Sequence, residues 1–115
     1  GEETRDWTYV GDIVDGTMRL GVMPEAIGDA FNLASNTETK VIDVANIVNK
    51  ITGNKTGMEY IKQRDWDKIT RRCASIDKAR KILGYEPKTK IADGIKSAYD
   101  WIVLHKVEIE RDGKF

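Results

Sequence analysis

A chain of 115 residues is the size of one domain and can bury a modest core. Its 19 lysines and arginines balance 19 aspartates and glutamates, so the broad basic field that draws proteins nonspecifically to nucleic acid or membrane is missing, although a local basic cluster can still hold a small anion. A lone cysteine, Cys73, excludes an internal disulfide and the spacing of a zinc site, and the longest apolar run (101–104) is far too short to cross a bilayer, which together read as a reducing, cytoplasmic setting.

The sequence opens without a methionine and runs directly into Arg5-Asp6-Trp7-Thr8-Tyr9-Val10, an aromatic and β-branched stretch that predicts a short strand. Such a start suggests a piece of a longer protein. Residues 12–20 read as a helix, with Asp12 as its cap and Gly16 as a weak point. Ala30-Phe31-Asn32-Leu33-Ala34 reads as a short apolar strand, with a polar turn over 35–39. The clearest helix follows, with Val41, Val44, Ala45, Val48 and Ile51 on one face and Gly53 as its stop. Residues 58–62 alternate like a strand, and 63–72 are charged and irregular.

Ser75 predicts the cap of a further helix that turns Ile76, Ala79, Ile82 and Leu83 inward, ends at Gly84 and is kept from resuming by Pro87. A final helix is expected from about 91 to 107. The charged tail, 108–115, is expected to fray. The expected fold class is therefore α/β, mostly helical with a few short strands. Those strands are too scattered to make a large sheet alone.

The chemistry is constrained first by what is missing. There is no Gly-x-Gly-x-x-Gly and no Walker loop, so no stretch of sequence is shaped to cradle a dinucleotide or triphosphate; Gly11, Gly16 and Gly21 are too widely spaced for that turn. No nucleophile elbow and no metal-ligand cluster is present, so no catalytic, cofactor-binding or metal residue is assigned. His105 reads as a solvent-facing helix residue. Cys73 lies beside Arg71 and Arg72, which would lower its pKa, although a small residue at a helix entry is the simpler role. Asp65 and Asp67 flank Trp66 and read as a solvated loop rather than an acid/base pair. Arg5, Arg64, Arg71 and Arg72 are more telling, because guanidinium forks suit phosphate, but they read equally as surface arginines.

Four segments, in order, resemble the extended short-chain dehydrogenase/reductases that act on nucleotide-sugars. Arg5-Asp6-Trp7-Thr8-Tyr9-Val10-Gly11-Asp12 is similar to the family's Arg-Asp-aromatic segment. Ala30-Phe31-Asn32-Leu33-Ala34-Ser35 is similar to its Asn-containing strand, with Asn32 read as structural. Arg64-Asp65-Trp66-Asp67 stands where the family has Arg-Pro-Gly-Asp, with Asp65-Trp66 replacing Pro-Gly. Ala74-Ser75-Ile76-Asp77-Lys78-Ala79 through Leu83-Gly84-Tyr85-Glu86-Pro87 looks like its last signature.

This resemblance implies that residues 1–107 are the C-terminal substrate-binding lobe of an NAD-dependent nucleotide-sugar epimerase or dehydratase, lacking the N-terminal Rossmann domain. That domain would hold NAD and the catalytic tyrosine and lysine. The resemblance implies that Arg5, Arg64 and Asp67 contact the substrate's diphosphate or nucleotide. It also implies that Trp7, Tyr9 and Phe31 are covered by the Rossmann partner, so self-association, as in a homodimer, or a rearranged N-terminal region is expected without it. Two rivals remain open: a stand-alone binding domain derived from that lobe, and part of a related NAD-dependent reductase with another substrate.

Overall fold

The computed structural model describes residues 1–62, 65–66 and 68–113. Two three-residue strands, β1 (Thr4–Asp6) and β2 (Glu38–Lys40), pair antiparallel with Thr4 opposite Lys40 and Asp6 opposite Glu38. Five helices complete the fold: α1 (Val10–Val22), α2 (Val41–Thr52), α3 (Asp77–Leu83), α4 (Ile91–Leu104) and α5 (Lys106–Asp112). A 3-10 turn at Pro24–Ala26 follows α1. The described chain is thus mostly helical with two strands.

The helices with a clean 3.6-residue apolar period form where the sequence puts them. Gly53 and Gly84 close α2 and α3 in the left-handed conformation, at φ 67° and 60°, which glycine reaches without a Cβ penalty. Ser75 is not the N-cap of α3: Ile76 holds that position with no side-chain cap bond, and the Ser75 hydroxyl accepts the Asp77 N–H at 3.4 Å from one residue further out. The predicted final helix breaks at His105, and α5 carries the charged run on as helix to Asp112.

Several readings need correction. The stretch expected as a strand over 5–10 is strand only to Asp6, and helix begins at Val10. Residues 30–34 and 58–62 form no strand, because no neighbouring backbone pairs with them among the described residues. Conversely β2 arises inside the predicted polar turn, since pairing with β1 overrides its weak strand propensity. Asp12 does not cap α1. Its carboxylate accepts the backbone N–H groups of Lys88 and Thr89, each at 3.1 Å, which ties α1 to the segment leading into α4.

The core is small: Ala26, Ala34, Ile76, Ala79, Leu83 and Tyr85 are buried, with Leu20, Met23, Phe31, Leu33 and Ile82 packed around them. It sits between α1, the 3-10 turn and α3. The chain exposes 8935 Å², whereas a compact 13.0 kDa protein exposes about 6,300 Å². Its radius of gyration, 17.1 Å, likewise exceeds the roughly 13 Å of a compact domain this long. The excess surface is apolar in places: Val10, Val14, Met18 and Val22 make an exposed stripe along α1, and Trp101 to Leu104 are exposed at the end of α4. Trp7 is exposed. Tyr9 is half-buried against Gly94, and Phe31 is half-buried on the core under the Lys78 ammonium, 4.7 Å from the ring centre.

Candidate substrate cleft around strand β1

Strand β1 is held on both sides. Besides β2, the segment at 70–72 pairs with it in parallel: the Thr4 N–H donates to the Thr70 carbonyl at 2.9 Å, and the Arg72 N–H donates to the Thr4 carbonyl at 3.2 Å. Arg5 therefore stands on a strand flanked by β2 on one side and by the bridging segment at 70–72 on the other. It is half-buried, and its Nη1 donates to the Thr4 carbonyl at 2.8 Å.

Two clefts meet at Arg5. One, of about 440 Å³, is walled by Val41, Ile42 and Ala45 of α2 and by Met58, Tyr60 and Ile61. The other, of about 460 Å³, is walled by Asp6, Leu33, Ala34, Arg72 and Ala74. The first wall also carries Glu3, Glu59 and Lys62 and the second Asp6, and a guanidinium between such mixed walls can bind an anion that carries an apolar or aromatic body. A third cleft, beneath Trp7 and Tyr9, is lined by Gly94, Ile95 and Ala98 and has no charged group in its wall.

Asp6 builds the site beside Arg5, a role the sequence reading did not assign. One of its oxygens accepts the Ser35 N–H at 2.9 Å and the Ser35 hydroxyl at 2.5 Å. The other accepts the N–H groups of Asn36 at 3.1 Å and Ala74 at 3.3 Å. Burial pushes this carboxyl up. The bonds from the Ser35 hydroxyl, the Ser35 and Ala74 backbone and the Cys73 thiol outweigh it and hold the pKa below the usual carboxylate value. Asp6 thereby fastens β1 to two loops distant in sequence. Its adjacency to Arg5 in the Arg-Asp motif was the available signal.

The neighbouring cations divide. Arg71 grips Glu38 with a forked contact, Nε and Nη2 lying 3.0 and 2.8 Å from the same carboxylate oxygen. Arg64 and Asp67 lie outside the described residues, so Arg5 alone of the three expected substrate contacts is placed. Trp66 and Asp65 are exposed, and Asp65 lies 3.6 Å from Lys62. Asn32 donates to the Ser75 carbonyl at 3.3 Å, a structural contact. His105 closes α4, stacked on Trp101 with ring centres 4.5 Å apart.

Cys73 departs from the activated thiol considered above. Desolvation pushes its pKa up, the Asp6 carboxylate 3.6 Å away pushes it further, and the opposing pull of Arg71 is too weak to reverse them. Although Cys73 is exposed, iodoacetamide at pH 7 is expected to alkylate it more slowly than an unperturbed thiol, with the rate still climbing above pH 9. A rate at pH 7 equal to or above that of free cysteine would contradict this arrangement.

The glycines at positive φ close helices (Gly53, Gly84) or lie in loops (Gly28, Gly57), and none opens a helix to receive a pyrophosphate. No group of three or more metal-ligating side chains converges among the described residues, and no helix there is long and apolar enough to cross a membrane.

The chain belongs to the family described as GDP-mannose 4,6 dehydratase, whose model matches residues 1–98. It is 48% identical to an epimerase of Methanothermobacter thermautotrophicus, with a TM-score of 0.93 over 96% of this chain and 33% of that one. It is 33% identical to the Bordetella bronchiseptica enzyme WbmF, solved in complex with NAD+ and UDP, with a TM-score of 0.81 over 96% of this chain and 33% of that one. It is also 33% identical, over 103 residues, to the UDP-glucose 4-epimerase of Rhizobium leguminosarum bv. trifolii, covering 88% of this chain and 31% of that protein. The chain is thus related to NAD-dependent enzymes of nucleotide-sugar chemistry and spans about a third of the length of the curated relatives it matches.

Proposed function

We propose that this chain is the C-terminal, substrate-binding portion of a cytoplasmic, NAD-dependent nucleotide-sugar epimerase or dehydratase. Arg5 contacts the substrate diphosphate, and Arg64 and Asp67 reach the same ligand. NAD and the catalytic tyrosine and lysine belong to a Rossmann domain elsewhere in the parent protein. That parent oxidises the sugar transiently with NAD, and the oxidised sugar is then epimerised, dehydrated or decarboxylated.

The position of Arg5 carries this reading: the motif arginine stands in the shared wall of two clefts, one with an apolar and aromatic lining. The uncovered stripe on α1 and the excess exposed area give further support, since a Rossmann partner would cover such a surface.

Arg5→Ala in the parent protein should weaken nucleotide-sugar binding about 10- to 150-fold, the equivalent of losing a charged hydrogen bond worth about 1.5–3 kcal/mol. Arg5→Lys should recover only part, because an ammonium cannot reproduce a two-pronged contact. NAD affinity should stay unchanged, and Arg111→Ala is the neutral control. Calorimetric titration with UDP-, dTDP- and GDP-sugars decides it: an Arg5→Ala protein that binds them as the parent does would sink the assignment.

A further inference from the structure

Arg72 has no role in the site as proposed so far, yet the backbone delivers it there. In a parallel pairing the paired residues put their side chains on one face, and the residues that follow put theirs on the other. Thr4 pairs with Arg71, so Arg5 and Arg72 share the opposite face. Arg71 stays on the Thr4 face and grips Glu38, which lies across β1 from Asp6 on that same face. Arg72 is exposed, and among the described residues its side chain has no hydrogen-bond or ion-pair partner. It lines the same cleft of about 460 Å³ as Arg5. Asp6 also lines this cleft, and its carboxylate, on the Thr4 face, accepts bonds from Ser35, Asn36, Cys73 and Ala74. Two arginines lining one cleft offer a multiply charged anion two guanidinium forks, each able to make a paired, charge-assisted contact.

We infer that Arg72 is a further cation for a diphosphate-bearing ligand, facing it together with Arg5 from the cleft between β1 and residues 72–74. The inference rests on the substrate-binding reading of Arg5, and it makes Arg72 a binding residue that sets how firmly the diphosphate is held.

The test is calorimetric titration of the parent protein with inorganic pyrophosphate, UDP and GDP. Arg72→Ala should weaken pyrophosphate and the preferred nucleotide by about 10- to 100-fold and flatten the salt dependence of binding, as expected when a charged contact is lost. Arg72→Lys should restore part of the affinity, and it keeps the experiment informative if the alanine variant folds poorly. Arg71→Ala, on the opposite face, should stay within about twofold of the parent. If Arg72→Ala binds all three ligands like the parent while Arg5→Ala does not, this inference fails and the substrate-binding reading stands. If neither substitution matters, or the unaltered protein binds none of the three, both fail. Equal losses from Arg71→Ala and Arg72→Ala would mean a diffuse charge effect and overturn the pairing. If pyrophosphate binding falls in Arg72→Ala although no nucleotide binds, the two-arginine site stands and the nucleotide reading fails.

Discussion

Tyr85→Ala should lower the unfolding free energy by about 3–5 kcal/mol, the range for cutting a buried aromatic ring back to a methyl group. Tyr85 is fully enclosed, and its hydroxyl donates to the Ala34 carbonyl at 3.2 Å. With so few other buried side chains, the rest of the core cannot close over the gap. Small domains have only about 5–15 kcal/mol in total, so this single change should remove a large share of the stability. Tyr85→Phe keeps the ring and should lose only about 0.5–1.5 kcal/mol, the usual net value of one hydrogen bond.

The same packing explains Gly16. A Cβ there would stand 2.7 Å from Leu33 Cδ2 and 3.0 Å from Tyr85 Cδ2. Leu33 is half-buried and can swing aside, whereas Tyr85 cannot. Gly16→Ala should therefore destabilise by about 1–3 kcal/mol from overpacking, less about 1 kcal/mol of gained helix propensity. Because Tyr85→Ala removes the obstacle, the two changes together should cost less than their sum. Urea titrations of the two single variants and the double variant would show this. Strict additivity, or a Gly16→Ala protein more stable than its parent by the full propensity gain, would mean that the ring does not press on Gly16.

Gly16 also shows where the sequence is a good guide and where it is not. As a pattern it only weakens a helix; as a neighbour it is what lets α1 approach Tyr85. Helices α2, α3 and α4 were legible because their apolar periods, and for α2 and α3 their closing glycines, are local signals. The segments at 30–34 and 58–62 have strand composition but no edge to pair with, and β2 has an edge but little strand composition. Pairing partners decide strands, and a partner distant in sequence leaves no local mark. The site divides the same way. Arg5 was singled out by its motif, and its place on β1 between two clefts is what the structure adds. That Arg72 lies beside Arg5, and Arg71 away from it, follows from one parallel bridge to Thr4 that no spacing in the sequence encodes. Asp12 is a further case: it has the composition of a helix cap, yet it binds the backbone at 88–89.

Asp6→Asn should destabilise the fold at neutral pH by about 2–4 kcal/mol and remove one source of its acid sensitivity. Hydrogen bonds to a charged acceptor contribute about 1.5–3 kcal/mol each, and water replaces part of that at a half-exposed site. An amide has one acceptor oxygen, so its NH2 group would face donors now served by the second carboxylate oxygen, either those of Ser35 or those of Asn36 and Ala74. The folded pKa of Asp6 lies below its unfolded value. Its stabilisation is therefore complete above the unfolded value of about 3.9, and it is lost as pH falls through the lower folded value. The stability gap between parent and Asp6→Asn should be widest near pH 7, hold down to about pH 4 and close at more acid pH. The lowered carboxyls elsewhere, such as Glu86 beside Arg80, remain in both proteins and do not enter the difference. Denaturant titrations at pH 7, 4 and 2 would read the gap directly. A gap that stays constant across the three would mean that the charge of Asp6 does not hold its two loops to β1. Since Arg5 is the next residue, the same variant should also loosen nucleotide-sugar binding in the parent protein, while Arg5 itself remains.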